Sequence, residues 1–200
     1  MAARASCSVT RYGVVSVCRA LPGPRTLRAV EEELARCAPT TPVDNRIARA
    51  TPFHPGRMTT PPDTVRPGDR LPDDESLLAW ARFLHQQVDA RKVSLWITFL
   101  DADDRTLPVV VPIDDVPTSP DDEIVTNLVG VLSDVLDDQA PGGSAVLMLE
   151  RPGTDAVTAG DGRWFSALHA CAARCGVRLR GVFLATGRRV RPLTPDDVGD

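Results

Sequence analysis

Residues 144–161 read Ser144-Ala145-Val146-Leu147-Met148-Leu149-Glu150-Arg151-Pro152-Gly153-Thr154-Asp155-Ala156-Val157-Thr158-Ala159-Gly160-Asp161. Ala145–Leu149 is a continuous apolar run. Such a run, bounded by turn residues, suits a strand covered on both faces at a central position in a sheet. Pro152 and Gly153 close the run and open a loop. Thr158 followed three positions later by Asp161 reads as a capping box in its aspartate form, the start of a helix. A buried strand, a loop and a capped helix in this order point to an α/β domain.

The pattern continues in both directions. Downstream, the helix runs to about Cys175 and buries Trp164, Phe165, Leu168, Cys171 or Ala172, and Cys175. Gly176 is its left-handed stop. Val177–Ala185 reads as a strand, Gly187 as a turn, Val190–Leu193 as a last strand, and Pro195–Asp200 as an acidic tail. Upstream, Ser119 caps a helix with Pro120 in its first position and Asp121 and Asp122 at the positive end of its dipole. That helix reaches about Asp138, with Ile124, Val125, Leu128, Leu132, Val135 and Leu136 on one face, and Pro141-Gly142-Gly143 ends it. Ser94–Asp101 and Thr106–Ile113 are rich in β-formers. The aspartates between them favour a turn, so the pair forms a hairpin. A further helix, from Asp73 or Asp74 to about Ala90, places Leu77, Leu78, Ala81, Leu84 and Val88 on its buried stripe. His85 stands beside that stripe, a boundary residue half in solvent. The order α-β-β-α-β-α-β-β predicts a single α/β domain with a mixed sheet over residues 71–198.

Residues 1–70 read differently, as a disordered or low-order leader. Six prolines interrupt residues 1–57, and only Thr26–Cys37 carries a helical pattern. Nine arginines against four acids give residues 1–57 a charge of +5, whereas residues 58–200 carry 14 bases and 23 acids, a charge of −9. The stretch Gly13–Val17 is too short for the apolar part of a signal peptide. These changes converge at Met58, which the sequence marks as the expected native start. Twenty-two of the 23 basic residues are arginine, a ratio that suggests codon bias in a high-GC bacterium.

Composition excludes several classes. An acidic domain is a poor nucleic-acid binder, because phosphate contacts need clustered bases. No stretch approaches the roughly 20 apolar residues of a membrane helix. Five cysteines at positions 7, 18, 37, 171 and 175 form no CxxC pair, which favours a reducing cytoplasm over a disulfide framework.

Catalytic motifs are equally absent. There is no GxSxG, HExxH, GxGxxG or phosphate-loop pattern, and Gly142-Gly143-Ser144 precedes a strand, not a helix. Four acids near Asp101 lack the glycine and terminal glutamate of a calcium loop. Cys171 and Cys175 share a helical face, but His169 points elsewhere and no further ligands follow at zinc spacing. The sequence therefore predicts no catalytic set, no metal and no cofactor. The loop leaving the buried strand is the one place where an α/β domain would set a site. Its candidate ligand-binding residues are Glu150, Arg151, Asp155, Thr158 and Asp161.

Residues Leu95–Leu193 resemble a JAB/MPN domain of the RadC-like type. The likeness rests on element order and on the segment quoted above. In that family a buried strand ends in His-x-His-Pro, and a loop then leads to Ser-x-x-Asp opening a helix. Here Leu149 and Arg151 stand where the two histidines would be. Pro152 matches, and Thr158-Ala159-Gly160-Asp161 matches Ser-x-x-Asp with a loop one residue shorter. Gly176-Val177-Arg178-Leu179 matches the following glycine and strand. The resemblance implies zinc held by two histidines and an aspartate, of which only Asp161 remains; leucine ligates nothing and arginine repels a cation. It thus implies a metal-free relative. The expected function is a non-catalytic cytoplasmic module that binds a protein partner or itself. The alternative is an enzyme or small-ligand binder that uses the Glu150–Asp161 loop. Two converging carboxylates in a deep pocket would favour the latter, and an apolar patch over Trp80, Phe83 or Trp96 the former.

Overall fold

The structure is a computed structural model that describes residues 6–9, 15–18, 65–85 and 90–198. The predicted α/β architecture with a mixed sheet is present, as are all eight expected elements. Helix α1 spans Asp74–His85, strands β3 and β4 span Ser94–Leu100 and Thr106–Asp114, and α2 spans Asp122–Gln139. Strand β5 covers Ser144–Arg151, α3 Ala159–Cys175, β6 Leu179–Thr186 and β7 Arg189–Pro192. Two short N-terminal strands, β1 (Ser6–Val9) and β2 (Val15–Cys18), extend the sheet beyond β4. The rest of the leader up to residue 64, including the helix expected over Thr26–Cys37, lies outside the described residues. Placed chain resumes at Val65, a little before the expected boundary at residue 71: the Gly68 N–H donates to Thr106 Oγ1 (2.7 Å) and the Leu71 N–H to the Asp104 carbonyl (2.7 Å).

The sheet order is β1-β2-β4-β3-β5-β6-β7. Strand β3 is antiparallel to both β4 and β5, β5 is parallel to β6, and β7 is antiparallel to β6. Strand β5 therefore lies between two neighbours. Its residues Ser144–Leu149 are all buried, which explains the unbroken apolar run: both faces are covered. On one face α1 packs Leu77, Trp80 and Ala81 against Val110, Val146, Met148, Phe183 and Ala185. On the other, α2 and α3 bring Leu128, Leu132, Trp164 and Leu168 onto Leu95, Ile97, Leu147, Leu149 and Leu184. The result is three layers.

Local chemistry sets the element ends, with some departures from the sequence reading. Helix α2 is capped by Asp121, whose carboxylate accepts from the Ile124 N–H at 2.8 Å. The expected cap, Ser119, instead accepts from Arg163 Nε at 2.6 Å. In α1 the buried face holds Leu77, Trp80, Ala81 and His85, whereas Leu78 and Leu84 are only half-buried. The stripe is rotated because the Trp80 ring, fully buried, donates from Nε1 to Thr98 Oγ1 (3.1 Å) and claims the centre of the face. In α3, Cys171 and Ala172 are buried but Cys175 is exposed.

Candidate functional site at the end of strand β5

Strand β5 carries the candidate residues out of the sheet, and its geometry separates them. Successive side chains of a strand point to opposite faces. Glu150 follows Val146 and Met148 onto the α1 face, while Arg151 follows Leu147 and Leu149 onto the face of α2 and α3. The two charged groups of one dipeptide thus enter different environments.

On the α3 face, Arg151 folds back over its own loop. Its Nε donates to both Asp161 carboxylate oxygens (2.9 and 3.1 Å) and its Nη2 donates to Oδ2 at 2.7 Å. The remaining N–H groups reach the carbonyls of Pro152, Thr154 and Ala156 at 2.8–3.2 Å. Planar and five-fold donating, a guanidinium suits this task of binding a carboxylate side-on and cross-tying a loop. Asp161 Oδ2 also accepts from the Thr158 N–H (2.8 Å), and the Asp161 N–H donates to Thr158 Oγ1 (3.3 Å), completing the capping box read from the sequence. The side chains of Arg151 and Asp161 are 11% and 2% exposed, so the ion pair is interior. Burial pushes the Asp161 carboxyl up, but the bonds from Arg151 and Thr158 outweigh it and hold the group below its ordinary value. Three of the five candidates, Arg151, Thr158 and Asp161, are therefore one closed network. Asp155 is apart from it, on the surface, accepting from Arg189 at 2.7 Å.

Glu150 belongs to a second cluster, whose other members, His85 and Trp96, are not among the candidate site residues. Its Oε1 lies 2.9 Å from His85 Nδ1, and its Oε2 accepts from Trp96 Nε1 at 2.6 Å. His85 Nε2 lies 2.7 Å from the Gly187 carbonyl. His85 is 3% exposed, not half in solvent. The His85 ring thus bridges the Glu150 carboxyl group and the Gly187 carbonyl. This cluster ties the end of α1 to β3, β5 and the β6–β7 turn. The signal for it was present in the alternation of β5: a glutamate in phase with Val146 and Met148 must meet a donor inside. Of the three residues over which an apolar patch would favour an interaction module, Phe83 and Trp96 are half-buried. Trp80 is buried, Phe83 stacks on it with ring centroids 5.2 Å apart, and Trp96 is bonded to Glu150.

Neither a protein-family model nor a curated protein matches this chain.

The arrangement limits the chemistry available. The Glu150 and Asp161 carboxylates do not converge, and both are engaged. Among the described residues no group of three or more His, Cys, Asp or Glu side chains forms a place for a metal ion. A cleft of about 610 Å³ does open beside the loop, between the first turns of α2 and α3. Of the five candidate residues only Thr158 lines it, together with Asp122, Arg163 and Ser166 among others. No described helix is long and apolar enough to cross a membrane.

Proposed function

We propose that the chain is a non-catalytic interaction or scaffold module that binds a protein partner or a second copy of itself. The observation that supports this most is the Arg151–Asp161 pair. The strand–loop–helix junction is the position where this architecture offers a ligand site. Here an arginine fills it, bonded to Asp161 and to three loop carbonyls. In the RadC-like resemblance, Arg151 replaces a metal-binding histidine and Asp161 is the surviving ligand. On this reading the guanidinium supplies internally the positive charge that zinc would have brought. The module keeps the shape of a JAB/MPN domain without its metal. Its net charge of −9 over residues 58–200 favours a protein over a nucleic acid as partner, and its cysteine usage favours the cytoplasm.

The reading is tested by native mass spectrometry of the protein isolated gently from its source. A stoichiometric protein partner, or a mass that rises to a multiple of 21.6 kDa with concentration, is expected. A strict monomer that retains a bound small molecule and converts it to product would contradict the proposal.

A further inference from the structure

Helix α3 carries two free cysteines one turn apart, Cys171 and Cys175. Positions four apart stand one above the other on a helix face. Cys171 is 2% exposed and belongs to the core beneath α3, whereas Cys175 is exposed. The pair thus leads from the interior to the surface, and residues 173–176 around its outer end are all exposed. The two sulfurs sense each other: partial desolvation, and then the Cys171 thiol itself, hold the Cys175 thiol above its ordinary value. No third ligand joins them among the described residues. His169 is two residues from Cys171 and packs on Phe165, with ring centroids 4.3 Å apart, and no group of three or more His, Cys, Asp or Glu side chains comes together there.

Geometry decides between the two things a thiol pair can do. A disulfide needs Cβ atoms roughly 3.5–4.5 Å apart. Helix positions four apart hold them about 5–6 Å apart. Closing that bond would unwind the last turn, where the Gly176 and Val177 N–H groups donate to the Ala172 carbonyl. A thiol held protonated is also a slow nucleophile for disulfide exchange. A metal ion set between the sulfurs relaxes the constraint. Two metal–thiolate bonds of about 2.3 Å each let the sulfurs stand up to roughly 4.6 Å apart. A bound cation also displaces the thiol proton outright. The ligand count then selects the ion. A structural zinc takes four ligands, and only two are offered here. Thiolates are soft and favour monovalent copper, which two sulfurs satisfy.

We propose that Cys171 and Cys175 form a two-coordinate site for monovalent copper, entered from the Cys175 side. The ion replaces both thiol protons: a neutral pair becomes a bis(thiolate) complex with a single negative charge, and two protons pass to solvent. No electron is transferred. Arg174, beside Cys175 in the last turn, is placed to offset that charge. The apolar core around Cys171 keeps water from the inner side of the ion. The site stands apart from the Arg151–Asp161 network and is independent of whether the domain docks a protein partner.

The test is an anaerobic titration of the reduced full chain with Cu(I), in competition with the chelator bicinchoninate. A second full chain carrying Cys7→Ser, Cys18→Ser and Cys37→Ser retains only the α3 pair. That chain should take up one Cu(I), release two protons and show two sulfur neighbours by X-ray absorption. On it, Cys175→Ser and Cys171→Ala, each verified as folded by circular dichroism, should weaken binding by at least roughly a hundredfold. In the otherwise wild-type chain, Cys175→Ser should remove one equivalent of copper. Zinc at the same concentration should leave the copper in place. No uptake against the chelator, uptake unchanged by Cys175→Ser, displacement by zinc, or a Cys171–Cys175 disulfide formed by diamide with the helix intact would overturn the proposal.

Discussion

Arg151 and Asp161 define the residue scale of this molecule. Asp161 is buried and Arg151 largely so, with its side chain 11% exposed, and each satisfies the other while also serving the loop. Removing one member leaves an uncompensated interior charge, which typically costs about 3–5 kcal/mol. Asp161→Ala, measured by urea unfolding, should fall in that range, and Arg151→Ala should be comparable. The double variant should cost less than the sum, because the first change already removes the shared contact. Additive losses would mean the two side chains act separately. The pair also has a pH signature. The folded-state value of the Asp161 carboxyl is depressed, so its contribution is fully present above the unfolded value of about 3.9. It is lost as pH falls through the lower folded value. Between pH 5 and 2 the wild-type protein should lose more stability than Asp161→Asn; equal losses would contradict the assignment. Ser144 behaves in the opposite way. It is fully buried, and among the described residues its hydroxyl has no hydrogen-bond partner. Ser144→Ala removes an unsatisfied group and should leave stability unchanged or raise it by up to about 1 kcal/mol. A loss of that size would show a partner for the hydroxyl.

At the scale of elements, α3 is the helix whose beginning and end were most fully written in the sequence. Thr158 and Asp161 form the capping box, and Gly176 takes φ 71° at the C-terminal end. Thr158→Ala should cost about 1 kcal/mol, the usual loss of a side-chain cap; an unchanged urea midpoint would mean that the Asp161 contacts alone hold the first turn. Other elements were legible in existence but not in detail. The acids after Pro120 announced the start of α2, but Ser119 and Asp121 are both good caps, and only the approach of Arg163 decides which one the helix uses. In α1 the leucine spacing suggested one stripe, while the large Trp80 ring and the His85–Glu150 bond turned the helix to another. Helical periodicity reports which residues are apolar. It does not report which of two overlapping faces a bulky ring will prefer once the sheet is present.

At the scale of the whole molecule, the α/β class followed from the one strand–loop–helix segment, because a both-faces-buried strand needs helical layers around it. The order of the strands did not follow. Nothing in Ser94–Leu100 states that it lies between β4 and β5, since side-chain alternation fixes faces and not neighbours. The candidate site was legible as a place and not as an arrangement. The five residues were picked because they share a loop. Yet the two-residue period of β5 sends Glu150 to His85 and Trp96, and Arg151 to Asp161, on opposite sides of the sheet. That period was available in the sequence; the partners ten and 65 residues away were not. What remains at the junction is a guanidinium–carboxylate pair, at the position where the proposed JAB/MPN kinship would place zinc. Metal binding at that position is the decisive property. The direct measurement is the metal content of the full chain after equilibration with zinc and removal of excess, by plasma mass spectrometry. No stoichiometric zinc is expected, in the wild-type protein and in Asp161→Ala alike. About one zinc per chain, lost on Asp161→Ala while the protein remains folded, would contradict it.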